Sequence, residues 1–154
     1  MPLLTLAEVE TLARAAHDGR TDKAGRPYAE HLAAVAEGVR ARGGDPDQIA
    51  AAWLHDAVED AVLGEEWLAA AGLTARTKAI VRALTRAPGE SQEAYAARIL
   101  ATPGAPLVKE ADLAHNADPD RLAVLPEPVR TRLTGKYERM RALLGPHRDG
   151  GPSA

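Results

Sequence analysis

One six-residue segment, His55-Asp56-Ala57-Val58-Glu59-Asp60, holds three carboxylates and an imidazole. On a helix His55 stands one turn before Glu59 and Asp56 one turn before Asp60, so two acid-bearing rows lie side by side on adjoining faces. Asp56 also falls near the place where the apolar stripe begun by Ile49 and Trp53 should continue inward, so charge has replaced core there. A solvated helix end accounts for such a string as readily as catalysis does. His31 sits beside Leu32 on the inward side of an earlier repeat, where a histidine with a buried partner is the ordinary case. Asp112 follows Val108 by one turn and precedes Asn116 by one turn, an inward row of Val, Asp and Asn. Taken together, His31, His55, Asp56 and Asp112 offer two neutral nitrogens and two anionic oxygens from three helices, a donor set for a divalent metal. There is no cysteine, so thiolate sites and cysteine nucleophiles are excluded. Imidazole plus carboxylate suits Mn²⁺ or Fe²⁺ at least as well as Zn²⁺ and is too nitrogen-rich to favour Mg²⁺ or Ca²⁺. Mn²⁺ is the preferred ion, with Fe²⁺, Zn²⁺ and Mg²⁺ as alternatives.

Helices must bring these residues together, because helical periodicity runs through most of the chain and strand alternation is absent. Thr5 and Glu8 have the form of a capping box before Leu6, Val9, Ala13 and Ala16. Tyr28, Leu32, Val35 and Val39 make a second stripe, ended by Gly43 and Gly44, and a third helix follows Pro46 to about Asp60. Shorter helices are predicted over 65–71, 74–85, 91–101 and 106–116, and a last one over 127–144, where Leu133, Tyr137, Met140 and Leu144 repeat. The expectation is a compact all-α bundle of about seven to nine helices. Residues 19–27, with two glycines, a proline and several charges, read as a loop long enough to carry function.

A chain of 154 residues fits one domain, here 1–145, with 146–154 expected to be a flexible tail because it lacks periodic apolar positions. The 45% hydrophobic and 27% charged content is that of a globular protein, and with no Phe the core must be mainly aliphatic. The first residues form no signal-peptide core and no apolar run is long enough to span a bilayer, so the cytoplasm is the expected compartment. A net charge of −3 argues against nucleic acid or an anionic membrane as a partner, leaving a small molecule; oligomeric state stays open.

The segment Ala16-His17-Asp18-Gly19-Arg20-Thr21-Asp22-Lys23-Ala24-Gly25-Arg26-Pro27-Tyr28-Ala29-Glu30-His31, followed by Val35-Ala36, resembles the opening of the hydrolase domain of RelA/SpoT-type enzymes of the alarmone guanosine tetraphosphate (ppGpp). Leu54-His55-Asp56-Ala57-Val58-Glu59-Asp60 is similar to that family's central signature, and Val108-Lys109-Glu110-Ala111-Asp112 through Asn116 to its last metal-binding segment. Order and spacing agree over most of residues 16–116, which places the chain near the HD-domain superfamily, where an isolated His, a His-Asp doublet and a distant Asp hold the metal. The resemblance implies an all-helical fold and a stand-alone hydrolase of the stringent response that removes 3′-pyrophosphate from ppGpp with Mn²⁺. It makes Glu59 and Asp60 the catalytic acidic pair assisting attack by metal-activated water, and Asn116 a substrate contact.

Developing charge on a phosphate needs cations, and Lys23, Arg20, Arg26 and Lys109 are the local ones, with Lys23 first because its loop precedes the first ligand. Three positions depart from the ppGpp-hydrolase pattern. Leu32 replaces a proline, Glu110 an apolar residue, and Asp22 stands where many of these enzymes carry an Arg. A like charge facing a polyphosphate is unfavourable, so Asp22→Arg is expected to improve ppGpp use through KM. Of the other histidines, His17 reads as a helix-end residue or a neighbour of a ligand, while His115 and His147 rank lower still as ligands. Tyr137 could line the site, although a core tyrosine is commoner at such a position. Two other functions compete: hydrolysis of another nucleotide or phosphate ester, and metal or nucleotide binding without catalysis, which would not require the Glu59 and Asp60 pair.

Overall fold

The computed structural model describes residues 2–59 and 63–146. Asp60, the side chain of Glu59, and residues 147–154 of the expected tail, His147 among them, lie outside the described residues.

The described residues form nine helices in chain order: α1 Leu6–Ala16, α2 Tyr28–Ala41, α3 Pro46–Glu59, α4 Glu65–Ala70, α5 Ala75–Ala83, α6 Gln92–Ala101, α7 Ala105–Asn116, α8 Pro119–Ala123 and α9 Glu127–Leu144. No strand occurs among them; Thr21 and Pro27 form an isolated antiparallel bridge inside the α1–α2 loop. The fold is the all-α bundle expected. Its helix starts obey local chemistry, since Thr5 and Glu8 exchange the two hydrogen bonds of a capping box, and the Thr74 and Ser91 side chains accept from the backbone N–H groups of Thr77 and Ala94. The one helix not foreseen is α8. At five residues, capped by Asp118 with Pro119 in its first turn, it is too short to show a periodic stripe.

α3 is the central element and packs against α1, α2, α5 and α7. Its buried run includes Ile49, Ala51, Ala52, Trp53 and Leu54, and small alanines let the surrounding helices approach closely. Leu32, Val35 and Val39 of α2, Ile80 and Val81 of α5, and Val108 of α7 complete an aliphatic core that excludes water almost entirely. The proline-to-leucine departure at Leu32 is thus a core residue, while Glu110 is exposed and 3.9 Å from Arg42.

Gly104 turns the chain into α7. Its φ of +91° is the left-handed region, and an added Cβ would stand 2.8 Å from Arg76 Nη2 and 2.9 Å from Ile80 Cδ1, so only glycine fits. Gln48 Nε2 of α3 donates to the Gly104 carbonyl at 3.1 Å, which fixes the start of α7 against the helix that carries His55 and Asp56. No helix among the described residues is long and apolar enough to cross a membrane.

Candidate metal centre

α2, α3 and α7 meet where their apolar faces are interrupted by polar side chains. His31, His55, Asp56 and Asp112 are all buried, at 3%, 3%, 8% and 5% exposure, in a core otherwise built of aliphatic residues. Ligand atoms of His31, His55 and Asp112 lie within 4.8 Å of one another. Asp56 Oδ2 joins them at 3.6 Å from His31 Nε2 and 3.2 Å from His55 Nε2. The sequence separations between the ligand segments are closed by the packing of α3 against both α2 and α7.

The nitrogen of His55 that faces this point is the most informative atom. Its Nδ1 lies 2.7 Å from the Ala52 carbonyl oxygen, which can only accept, so the proton sits on Nδ1 and Nε2 carries the lone pair in the neutral ring. Nε2 is buried without a hydrogen-bond partner, although Asp56 Oδ2 and Asp112 Oδ1 stand 3.2 and 3.4 Å away. Facing two carboxylate oxygens in a dry pocket, Nε2 needs a positive charge between them, which its own proton or a divalent ion supplies. The donor set and its burial therefore fit a metal.

The electrostatics carry the same imprint. Burial opposes charge on His55, yet the Asp56 and Asp112 carboxylates outweigh it and raise its pKa well above the ordinary value. Burial would also raise the carboxyl of Asp56, but the facing His55 pulls it down to about 2. At Asp112 burial is again overcome, first by the Lys109 ammonium and then by His31 and His55, leaving it well below the carboxylate range. Negative charge is thus kept at the centre, where it would attract a cation.

Further side chains hold the carboxylates in place. Tyr28 donates its hydroxyl to Asp56 Oδ2 at 2.7 Å, and the buried His17 ring stacks on Tyr28 with centroids 5.0 Å apart. Lys109 Nζ donates to Asp112 Oδ2 at 2.9 Å and Asn116 Nδ2 to Asp112 Oδ1 at 3.3 Å. Lys109 and Asn116, read from the sequence as substrate contacts, line the cleft but spend these donors on Asp112. His115, ranked low in the sequence reading, places its Nδ1 2.7 Å from His31 Nδ1. The signal that could have found it was its position three residues after Asp112, which sets both on neighbouring rows of α7.

A cleft of about 770 Å³ opens onto these residues, within the range of small-molecule sites. Arg20, Lys23, Arg86, Lys109, Arg121 and Lys136 supply its positive charge, and Leu122, Leu125, Leu133, Tyr137 and Met140 an apolar wall from α8, α9 and the turn between them. Arg20 stacks over Tyr28 at 5.6 Å, whereas Arg26 is outside the cleft lining and engages Glu30 through two 2.9 Å hydrogen bonds.

Asp22 does not act as the sequence reading supposed. Its Oδ1 accepts from the backbone N–H groups of Ala24 and Arg26, both at 2.9 Å, and its Oδ2 accepts from Arg121 Nη1 at 3.0 Å. Burial works against its charge, but these donors hold its pKa below the ordinary value. Asp22 folds the loop and anchors a cation from α8; it is not an unpaired charge facing substrate. We therefore expect Asp22→Arg to destabilise the protein by about 1.5–3 kcal/mol in urea denaturation, the scale of hydrogen bonds to a charged group whose carboxylate is removed, and to raise KM. A variant as stable as the parent would refute this role for Asp22.

Residues 10–113 match a family model described as HD domain. No curated protein matches the chain.

Proposed function

The chain belongs to the HD-domain family, whose members are in general metal-dependent phosphohydrolases, and from that premise we propose that it hydrolyses ppGpp at the 3′-pyrophosphate with Mn²⁺ held by His31, His55, Asp56 and Asp112. The observation that carries the metal assignment is the convergence of His31 Nε2, His55 Nε2 and Asp112 Oδ1 on one point, with the His55 nitrogen lacking a hydrogen-bond partner. Substrate identity rests on the resemblance of residues 16–116 to ppGpp hydrolases and on the mixed cleft, with its cations for phosphate and its apolar wall for a base. When bound, a divalent ion would supply Lewis acidity and lower the pKa of a coordinated water towards neutrality.

The protein's own groups do the rest. Tyr28 orients Asp56, and Lys109 with Asn116 holds Asp112, so neither carboxylate can rotate away from the centre. Arg20, Lys23 and Arg121 place positive charge along the cleft for phosphate oxygens. Glu59 and Asp60 are assigned the proton taken from the attacking water, a role drawn from the family resemblance.

Hydrolysis of a different nucleotide or phosphate ester is the second reading: the resemblance places an Arg at position 22 in many ppGpp hydrolases, and this chain has Asp22 there, engaged with Arg121 instead of offering a cation to substrate. Metal-stripped protein, resupplied in turn with Mn²⁺, Fe²⁺, Zn²⁺ and Mg²⁺ and offered ppGpp beside a panel of nucleotides and phosphate esters, separates the two. The expected products are GDP and pyrophosphate, formed fastest with Mn²⁺. Cleavage of another compound without ppGpp turnover establishes the second reading, and metal uptake with no turnover of any compound rejects both.

A further inference from the structure

His31 meets His115 nitrogen to nitrogen, Nδ1 to Nδ1 at 2.7 Å, with the rings stacked at 5.0 Å between centroids and 28° between planes. Two ring nitrogens can approach this closely only if one carries a proton and the other a lone pair, because two N–H groups collide and two lone pairs repel. Each choice has a different consequence on the far side of His31. With the shared proton on His115, neutral His31 must carry its own on Nε2, aimed at Asp112 Oδ1 3.0 Å away, and that nitrogen cannot ligate. With the proton on His31 Nδ1, its Nε2 presents a lone pair to the same point that His55 Nε2 faces. His55 has its tautomer set by a main-chain carbonyl, that of Ala52. His31 depends instead on a side chain, and that side chain is carried on α7 three residues beyond Asp112.

We propose that His115 is a positioning residue, accepting a hydrogen bond from His31 Nδ1–H and thereby holding His31 in the tautomer whose Nε2 can ligate a metal. α7 then contributes twice to the centre, with a carboxylate in front of the ion and an acceptor behind one of its imidazoles. This inference rests on the metal assignment above, and its test keeps the two separable.

Three proteins are compared: the parent, His115→Phe, which keeps a stacked ring without an acceptor, and His115→Gln, which keeps an acceptor carbonyl. Mn²⁺ and Zn²⁺ dissociation constants are measured by competition with a chelator, and metal-free stability by urea denaturation. Replacing a group that orients a metal ligand costs about 10- to 100-fold in affinity, so His115→Phe should weaken binding by that factor and His115→Gln should recover most of it. Nitrogen-15 spectra of the Zn²⁺-loaded parent should show His31 protonated at Nδ1 and metallated at Nε2. Unchanged affinity in His115→Phe, metallation of His31 at Nδ1, or an equal loss in both variants that follows their metal-free stability overturns the role of His115 alone. A parent that takes up neither ion overturns the metal assignment, and this inference with it.

Discussion

His55→Ala should lose its metal and, with it, about 10⁴-fold or more of turnover, since the acidification of water by a bound ion spans several pKa units. His55 is the cleanest of the four positions for this test. Its removal takes a ring away from Asp56 and Asp112, 3.2 and 3.4 Å off, but Asp56 keeps the Tyr28 hydroxyl and Asp112 keeps Lys109 and Asn116, so each buried carboxylate retains a donor. Asp112 is a poorer choice, because Asp112→Ala would strand the Lys109 ammonium, 15% exposed and 2.9 Å from that carboxylate, at about 3–5 kcal/mol for breaking a buried pair. Activity lost in Asp112→Ala could then reflect unfolding. In His55→Ala the far-ultraviolet signature of the bundle should persist while metal analysis of the dialysed protein finds none. Full metal occupancy in that variant would remove His55 from the ligand set.

The second large effect separates chemistry from metal binding. Asp60→Asn keeps the size of the side chain and removes its charge, so it should retain metal while turnover falls by about 10²- to 10⁴-fold, the usual contribution of a general acid or base. Glu59→Gln, measured alongside, tells which member of the acidic pair carries the proton, since the one acting as base should show the larger fall in kcat at unchanged metal content. Parent-like turnover in Asp60→Asn at normal occupancy would show that the pair has no such role.

Local chemistry was legible in the sequence because it depends on neighbours a few residues apart. The capping box at Thr5, the glycine stop after α2, the stripes of α2 and α9 and the all-α class all follow from spacing within a single element. The members of the centre were legible for a related reason. A charged or imidazole side chain on an inward helical row needs a partner, and Asp56, His31 and Asp112 each announce that need before any contact is known. What periodicity does not contain is the angle at which one helix crosses another, and the contacts of Asp22 and His115 depend on such packing. Asp22 reads as a stray anion until α8 brings Arg121 to 3.0 Å from it, across 99 residues of chain. Lys109 is a different case, since its pairing with Asp112 three residues on lies within α7 and follows from helical spacing alone. His115 reads as an outlying histidine until the packing of α2 on α7 sets its ring on His31. The sequence by itself determined which residue types would be buried and on which helix faces, because burial of an apolar stripe is a property of one helix. Only the tertiary structure decided which polar group meets which, because a hydrogen bond forms over a few tenths of an ångström and helix packing alone sets distances that finely.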